Sequence, residues 1–278
     1  MTQTIPYWHV DAFAAQPFGG NQAAVMVLDQ WLPDETLQAI GGENNFAETA
    51  FVVRDVSGEA DWELRWFTPT DEVALCGHAT LASGHVLLSH PERFGHAERV
   101  TFRTRKAGIL EVRKAESAAG YELALPVTLV ERASHPDLLA AIGFRGEVFV
   151  SWYGAEQTAI IAMRSEAEIR GLTPDMAALR GIDLMAICTA PADEGSDYDI
   201  VSRVFVPAWG VAEDSVTGSA HAALAPFWAE RLGKREMRAH QASKRGGDLT
   251  MRLEGEGKGQ RAWLGGPCVT VVEGAFRL

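Results

Sequence analysis

The spacing of apolar and polar positions changes several times along this chain, and each change marks an element. Residues 7–13 (YWHVDAF) alternate weakly before Pro17 and Gly19-Gly20 interrupt them, which predicts an opening strand. Asn21 then opens residues 22–28, either as the N-cap of a short helix or as the head of a second strand. Residues 47–54 (AETAFVVR) and 61–67 (DWELRWF) predict strands. Residues 75–88 are mostly apolar, with only His, Thr and Ser as polar members. A helix apolar on most sides is a buried one, at the centre of a fold. Residues 100–102, 108–113 and 121–125 predict a meander of short strands.

A second unit begins with residues 134–142, an amphipathic helix carrying Pro136 in its first turn. Strands are expected at 148–152 and 158–163, helices at 165–172 and 174–180, and strands at 184–189 and 199–205, with a polar loop at 191–197. Residues 218–232 form another mostly apolar helix, and the tail from Asp248 reads as short strands. Pro226 falls inside that helix, where it costs about 3 kcal/mol unless the helix kinks. A boundary near residues 126–134 divides the chain into residues 1–128 and 129–278, an α/β (α+β) arrangement.

The two halves repeat one order. The first has Arg65-Trp66-Phe67-Thr68-Pro69, the acids Asp71-Glu72, then Cys76-Gly77-His78-Ala79-Thr80 opening the apolar helix. Half a chain length later come Arg203-Val204-Phe205-Val206-Pro207, the acids Glu213-Asp214, then Thr217-Gly218-Ser219-Ala220-His221 opening the other. Four features in the same order imply two structurally similar halves. A Gly-led turn into a helix leaves N–H groups pointing out of the helix start, and the helix dipole adds partial positive charge. Two such starts facing one cleft would hold a carboxylate.

Composition narrows the partners. Lys plus Arg is 25 against 37 Asp plus Glu, a net charge of −12, which argues against nucleic acid or an anionic membrane. The 3 cysteines, Cys76, Cys188 and Cys268, are far apart and form no C-x-x-C pair, so a disulfide framework and a thiolate zinc site are not expected. Residues 1–10 lack a basic n-region and an apolar h-region, and no apolar run is long enough for a membrane span; the chain reads as soluble and cytoplasmic. His78, His85, His90 and His96 fit no metal-binding pair on one helical face. No Walker loop, strand-borne G-x-G-x-x-G or G-x-S-x-G is present.

Three side chains stand out as proton carriers. Glu48 opens an otherwise apolar strand between Phe46 and Phe51, where partial desolvation would raise its pKa toward the general acid/base range; the alternative is a solvated edge carboxylate. His78 follows Gly77 at a helix start, as a proton relay, a substrate ligand or simply a packed cap. Asp214 enters the second turn, to orient His78 or substrate, or only to stabilise the helix dipole. Cys76 precedes the first Gly, where a helix start favours a thiolate, but its echo is Thr217; a two-thiol racemase would need a thiol on each face of the substrate carbon.

These segments resemble the phenazine-biosynthesis PhzF-like family, which shares the diaminopimelate epimerase fold. The resemblance runs through Asp11-Ala12-Phe13 with Pro17-Phe18-Gly19-Gly20-Asn21, Ala47-Glu48-Thr49-Ala50-Phe51-Val52, Phe67-Thr68-Pro69 to Cys76-Gly77-His78-Ala79-Thr80, Phe205 to Thr217-Gly218-Ser219-Ala220, and Gln241-Ala242-Ser243-Lys244-Arg245-Gly246-Gly247. It implies two pseudo-symmetric halves, each a curled, mostly antiparallel sheet around a central helix, with the last strand crossing back to the first half. It implies a cleft between the halves, no metal or organic cofactor, and a homodimer. The best-understood member isomerises a dihydro-hydroxyanthranilate by moving a proton. Carried over by motif, Glu48 is the general acid/base, His78 and Asp214 assist, and Gly77, Gly218 and Ser219 line the anion site. Gln22, Ser215 and Pro226 depart from the family pattern without touching Glu48, His78 or Asp214.

The expected function is therefore a cofactor-independent isomerase that moves a proton on a small carboxylate-bearing metabolite. Two alternatives stand beside it: an epimerase or racemase pairing Cys76 with a carboxylate, and a non-catalytic metabolite- or partner-binding protein on the same fold.

Overall fold

The computed structural model describes residues 3–115, 120–151 and 157–278. Its chain forms two units: Met1–Leu125 with Gly265–Leu278, and Pro126–Leu264. The first carries β1 (Thr4–Ala12), β2 (Asn21–Leu28), α1 (Asp34–Asn44), β3 (Glu48–Arg54), β4 (Trp62–Phe67), β5 (Glu72–Val73), α2 (Gly77–Ser89), α3 (Pro91–Phe94), β6 (Arg99–Thr104), β7 (Ile109–Lys114) and β8 (Tyr121–Pro126). The second carries β9 (Glu131–Ala133), α4 (Pro136–Ile142), β10 (Glu147–Ser151), β11 (Thr158–Ala162), α5 (Glu166–Arg170), α6 (Met176–Arg180), β12 (Met185–Pro191), β13 (Ile200–Val206), β14 (Val211–Asp214), α7 (Gly218–Leu232), β15 (Glu236–Gln241), β16 (Gly247–Glu254) and β17 (Arg261–Gly266). The last strand, β18 (Cys268–Arg277), returns to the first unit and pairs antiparallel with β1.

The pairing repeats. In the first unit β1–β2 and β3–β4 are antiparallel, β2–β3 and β4–β6 parallel, and β6–β7 antiparallel. In the second, β10–β11 and β12–β13 are antiparallel, β11–β12 and β13–β15 parallel, and β15–β16 antiparallel. β9, which follows the first half in the chain, pairs with β10 in the second unit, as β18 pairs with β1 in the first. The fold is an α/β one: two pseudo-symmetric halves, each a curled, mostly antiparallel sheet around a central helix.

Burial explains why the strands hold where they do. β3 is buried on both faces apart from its ends, so it reads as a continuous apolar run and not as an alternation. Phe51 and Val53 point into a cluster with Ile5, Met26, Leu37 and Ile40 beneath α1. On the other side α2 packs against β1, β2, β3, β6 and β7. Gly84 of α2 lets that helix approach β7; a Cβ there would lie 2.3 Å from Val112 Cγ1. In the second unit α4, α5 and α6 cover one face through Leu138, Ile142, Ile169 and Leu179, while α7 packs on β15 and β16.

Asn21 begins β2 and caps no helix: its backbone pairs with Ala12 of β1, and Gly20 before it (φ +61°) makes a turn in which any Cβ would strike the Ala12 carbonyl oxygen at 2.1 Å. The strand expected at 148–152 ends at Ser151, with Trp152 outside the described residues. α7 continues past Pro226, which lies inside it. The Ala222 carbonyl, which a residue other than proline at 226 would bond, accepts instead from the Thr128 N–H at 3.4 Å. The sequence pattern did not mark α1, β5, α3, β9, β14 or β15. Among the described residues no helix is long and apolar enough to cross a membrane.

Candidate active site

α2 starts inside the first unit's sheet, and its start gathers the reactive side chains. Cys76 is the N-cap in an extended conformation (φ −140°, ψ 112°). Thr80 N–H closes the first turn on the Cys76 carbonyl at 3.2 Å, so the N–H groups of Gly77, His78 and Ala79 have no acceptor within the helix. β3 starts alongside, with Glu48 in register with Ala23 of β2. His78, 4% exposed, lies between these elements. Its Nε2 is 3.1 Å from Glu48 Oε2 and 3.2 Å from the Gln22 carbonyl oxygen. Its Nδ1 is 3.1 Å from Asn21 Nδ2 and 3.5 Å from Cys76 Sγ. Glu48 is partly buried, with 18% of its side chain exposed.

Glu48, Cys76 and His78 offer ligand atoms within 4.8 Å of one another. Cys76 and Glu48, however, address different ring nitrogens of His78. One ion bonded to a single imidazole nitrogen therefore takes one of these neighbours in the ring plane and turns away from the other.

The second unit repeats the scaffold with other chemistry. Thr217 is the N-cap of α7 (φ −113°, ψ 105°), and the His221 N–H closes the turn on its carbonyl at 3.2 Å. Gly218 and Ser219 are the first two residues of α7. Asp214 ends β14; its carboxylate accepts from the Thr217 hydroxyl at 2.6 Å and the Ser215 N–H at 2.9 Å. Buried Gln241 completes this knot, accepting from the Thr217 N–H at 2.9 Å and donating to the Asp214 carbonyl at 2.8 Å. Asp214 thus shapes the entry to α7, beside whatever it does for substrate.

Register identifies the counterparts. Ala23 faces Glu48 across β2–β3, and Thr158 faces Met185 across β11–β12. Met185 therefore stands where Glu48 does, and Ser219, next after Gly218, stands where His78 does. Ser219 Oγ is 4.0 Å from Met185 Sδ, in place of the Glu48–His78 contact. The scaffold is repeated; the acid/base pair is not.

The shared acids serve the frame. Arg65, 3% exposed, holds Glu72 through two bonds of 2.8 Å, and Arg203 holds Glu213 at 2.7 and 2.9 Å. Each guanidinium also lies 5.0 Å from the ring of its own strand's Phe, Phe67 or Phe205. The Arg65 hydrogen bonds keep the Glu72 carboxyl below its usual range. Each pair ties the central strand to the acidic loop that leads toward the helix start.

Sequence reasoning singled out Glu48, His78, Gly77 and Cys76, which meet in the first unit, and Asp214, Gly218 and Ser219, which meet in the second. It assigned no role to the Asn21 side chain, the Gln22 carbonyl or Gln241. Asn21 stood out only as a cap or strand head after the Gly-Gly turn and as part of the family motif, not as a partner of His78; the Gln22 carbonyl has no signal.

Comparison with known proteins agrees with this frame. The family model PhzC-PhzF, phenazine biosynthesis-like protein, matches residues 10–274. An uncharacterized isomerase of Pseudomonas aeruginosa is 43% identical over 274 residues, covering 99% of each chain. The crystal structure of a phenazine biosynthesis protein of the PhzF family from Enterococcus faecalis superposes with a TM-score of 0.84 at 38% identity, over 99% of this chain and 100% of that one. A hydroxyproline epimerase from Agrobacterium vitis shares the fold, with a TM-score of 0.65 at 12% identity over 99% of this chain and 93% of its own. The chain belongs to the phenazine biosynthesis-like PhzC-PhzF family and is an isomerase-type enzyme.

Proposed function

We propose that this enzyme moves a proton between carbons of a small carboxylate-bearing metabolite without a cofactor, in the manner of a dihydro-hydroxyanthranilate isomerase. The observation that carries the reading is the Glu48–His78 pair at 3.1 Å beside the α2 start. The Glu48 carboxylate takes a proton from a substrate carbon: the C–H bond breaks, its electrons enter the neighbouring unsaturated system, and an O–H bond forms on Glu48. The same O–H then breaks as a C–H bond forms elsewhere on the substrate. His78 lies against Glu48 and orients it. The N–H groups at Gly77 hold a substrate carboxylate with the help of the helix dipole. Asp214, Gly218 and Ser219 are assigned hydrogen bonds to the substrate's remaining polar groups.

One carrier on one scaffold favours isomerisation over racemisation. Met185 and Ser219 cannot serve as a second base at the equivalent position. General acid/base assistance is worth typically ~10²–10⁴-fold. In D₂O, candidate cyclic and amino-acid carboxylates that are substrates acquire deuterium at carbon, and Glu48→Gln lowers that exchange by about the same ~10²-fold or more. Full exchange in Glu48→Gln removes the assignment.

A second reading rests on Cys76 Sγ, 3.5 Å from His78 Nδ1: an epimerase using the thiol with Glu48. Cys76→Ser separates the two, since it abolishes an epimerase and leaves a Glu48 shuttle working.

A further inference from the structure

Every polar neighbour of the His78 ring constrains where its proton sits. Asn21 Nδ2, at 3.1 Å, is an amide nitrogen and can only donate, so Nδ1 must present its lone pair. The Cys76 thiol at 3.5 Å is a weak donor toward the same nitrogen. At the other edge, Nε2 faces the Gln22 carbonyl oxygen at 3.2 Å and Glu48 Oε2 at 3.1 Å. A carbonyl oxygen only accepts, so Nε2 must carry the hydrogen. Both edges specify the same neutral tautomer.

We propose that Asn21 is a positioning residue that locks His78 as the neutral Nε2–H tautomer, with that hydrogen held by the Gln22 carbonyl at the edge of the ring that faces Glu48. With Nε2 already carrying its hydrogen and Nδ1 facing the Asn21 N–H, the ring turns no lone pair toward Glu48. The proton taken from substrate therefore stays on Glu48 and does not pass through His78. His78 holds the Glu48 side chain in place, and Asn21 decides which nitrogen faces it.

The chain builds this placement through β2. Gly20 turns the backbone at φ +61°, so that Asn21 enters the strand opposite Ala12. Asn21 and Ala23 are two residues apart and share a face of the sheet, and Ala23 is the register partner of Glu48. Asn21 is thereby on the face where α2 delivers His78, and it is itself 3% exposed. Gln22 points the other way, its side chain meeting His9 at 3.1 Å while its carbonyl supports Nε2.

The proposal rests on Glu48 as proton carrier for its mechanistic meaning, but the tautomer is read on the resting protein without substrate. Two-dimensional ¹⁵N–¹H correlation of imidazole nitrogens and ring carbons, with His78 assigned through His78→Gln, gives the protonation of each nitrogen. At neutral pH the expected pattern is Nδ1 at the downfield, unprotonated position and Nε2 at the upfield, protonated one. Asn21→Asp places an acceptor at Nδ1 and should move Nδ1 upfield to the protonated position; Asn21→Ala should draw the two nitrogens toward intermediate values. A wild-type Nδ1–H pattern, or a doubly protonated ring, overturns the proposal. So does an unchanged pattern in a folded Asn21→Asp. Should Glu48→Gln keep full exchange while the Nε2–H pattern holds, the proposed reaction fails and the tautomer lock survives.

Discussion

His221 and His85 show what burial does to an imidazole that has no carboxylate to share its charge. His221, fully buried, bonds the Thr217 carbonyl at 2.8 Å and Ser202 Oγ at 3.3 Å, and burial pushes its pKa down to about 4. His85 is pushed down to about 4 by burial, with a smaller contribution from His90; its Nδ1 has no partner and its Nε2 meets Thr270 Oγ1 at 2.9 Å. The ordinary value of 6.5 applies once the chain unfolds. Above 6.5 both states are neutral. Between 6.5 and about 4 the unfolded chain binds protons that the folded one refuses, so stability falls with falling pH, by up to ~1.4 kcal/mol per pH unit per histidine. Below that window the loss levels off, and carboxylates such as Asp55, held low by Arg103, take over. Urea unfolding between pH 7 and 5 should show this slope, and His221→Gln should shrink it. An identical slope in the folded variant would mean that His221 charges freely in the native protein.

The central helices show how one element serves both packing and site. α2 buries the small residues Gly77, Ala79, Ala82, Ser83 and Gly84, and the last is needed where the helix meets Val112 of β7. Ala in place of Gly normally favours a helix by about 1 kcal/mol. At residue 84 the new methyl would sit 2.3 Å from Val112 Cγ1, and overpacking of this kind costs typically ~1–3 kcal/mol. Gly84→Ala should therefore lower the urea midpoint, and Val112→Ala in the same chain should restore part of it. The elements most legible in the sequence were these same helices, because a run apolar on every side has no competing reading. α1 was missed for the opposite reason. Its cap, Pro33, makes no side-chain bond, Gly41 and Gly42 lie within it, and only Leu37, Ile40 and Gly41 are buried. β2 stayed ambiguous because Asn21 is as good a helix cap as a strand head, and only its pairing with Ala12 decides. Glu48 and His78 could be named from pattern, and the repeat itself puts Ser219 opposite His78; that Met185 replaces Glu48 could not be read. That correspondence depends on strand register, which no periodicity reports.

Across the whole molecule the repeat is completed by one strand that crosses back: β18 follows the second unit in the chain and pairs with β1, whereas β9 pairs with β10 inside the second unit. The first unit is thus assembled from two distant stretches of chain and the second from one. β9 spans three residues, whereas β18 pairs with β1 from Thr4 opposite Arg277 to Ala12 opposite Cys268, through a bulge at His9/Val10. β18 also carries Thr270, the partner of His85, and Glu273, which pairs with Arg93 at 3.3 Å and His90 at 3.5 Å. Removing it would expose the edge of β1, the strand whose other side supports β2 and, through β2, Asn21 and Glu48. A chain ending at Pro267 should therefore lose the folded first unit, and not merely fray at its terminus. Amide exchange is the direct measurement: Tyr7, Val10, Ala24 and Val25 should lose protection together, while Ile160, Ile187 and Val204 in β11–β13 keep it. Retained protection in β1 and β2 would show that the returning strand is a trim on a unit complete without it.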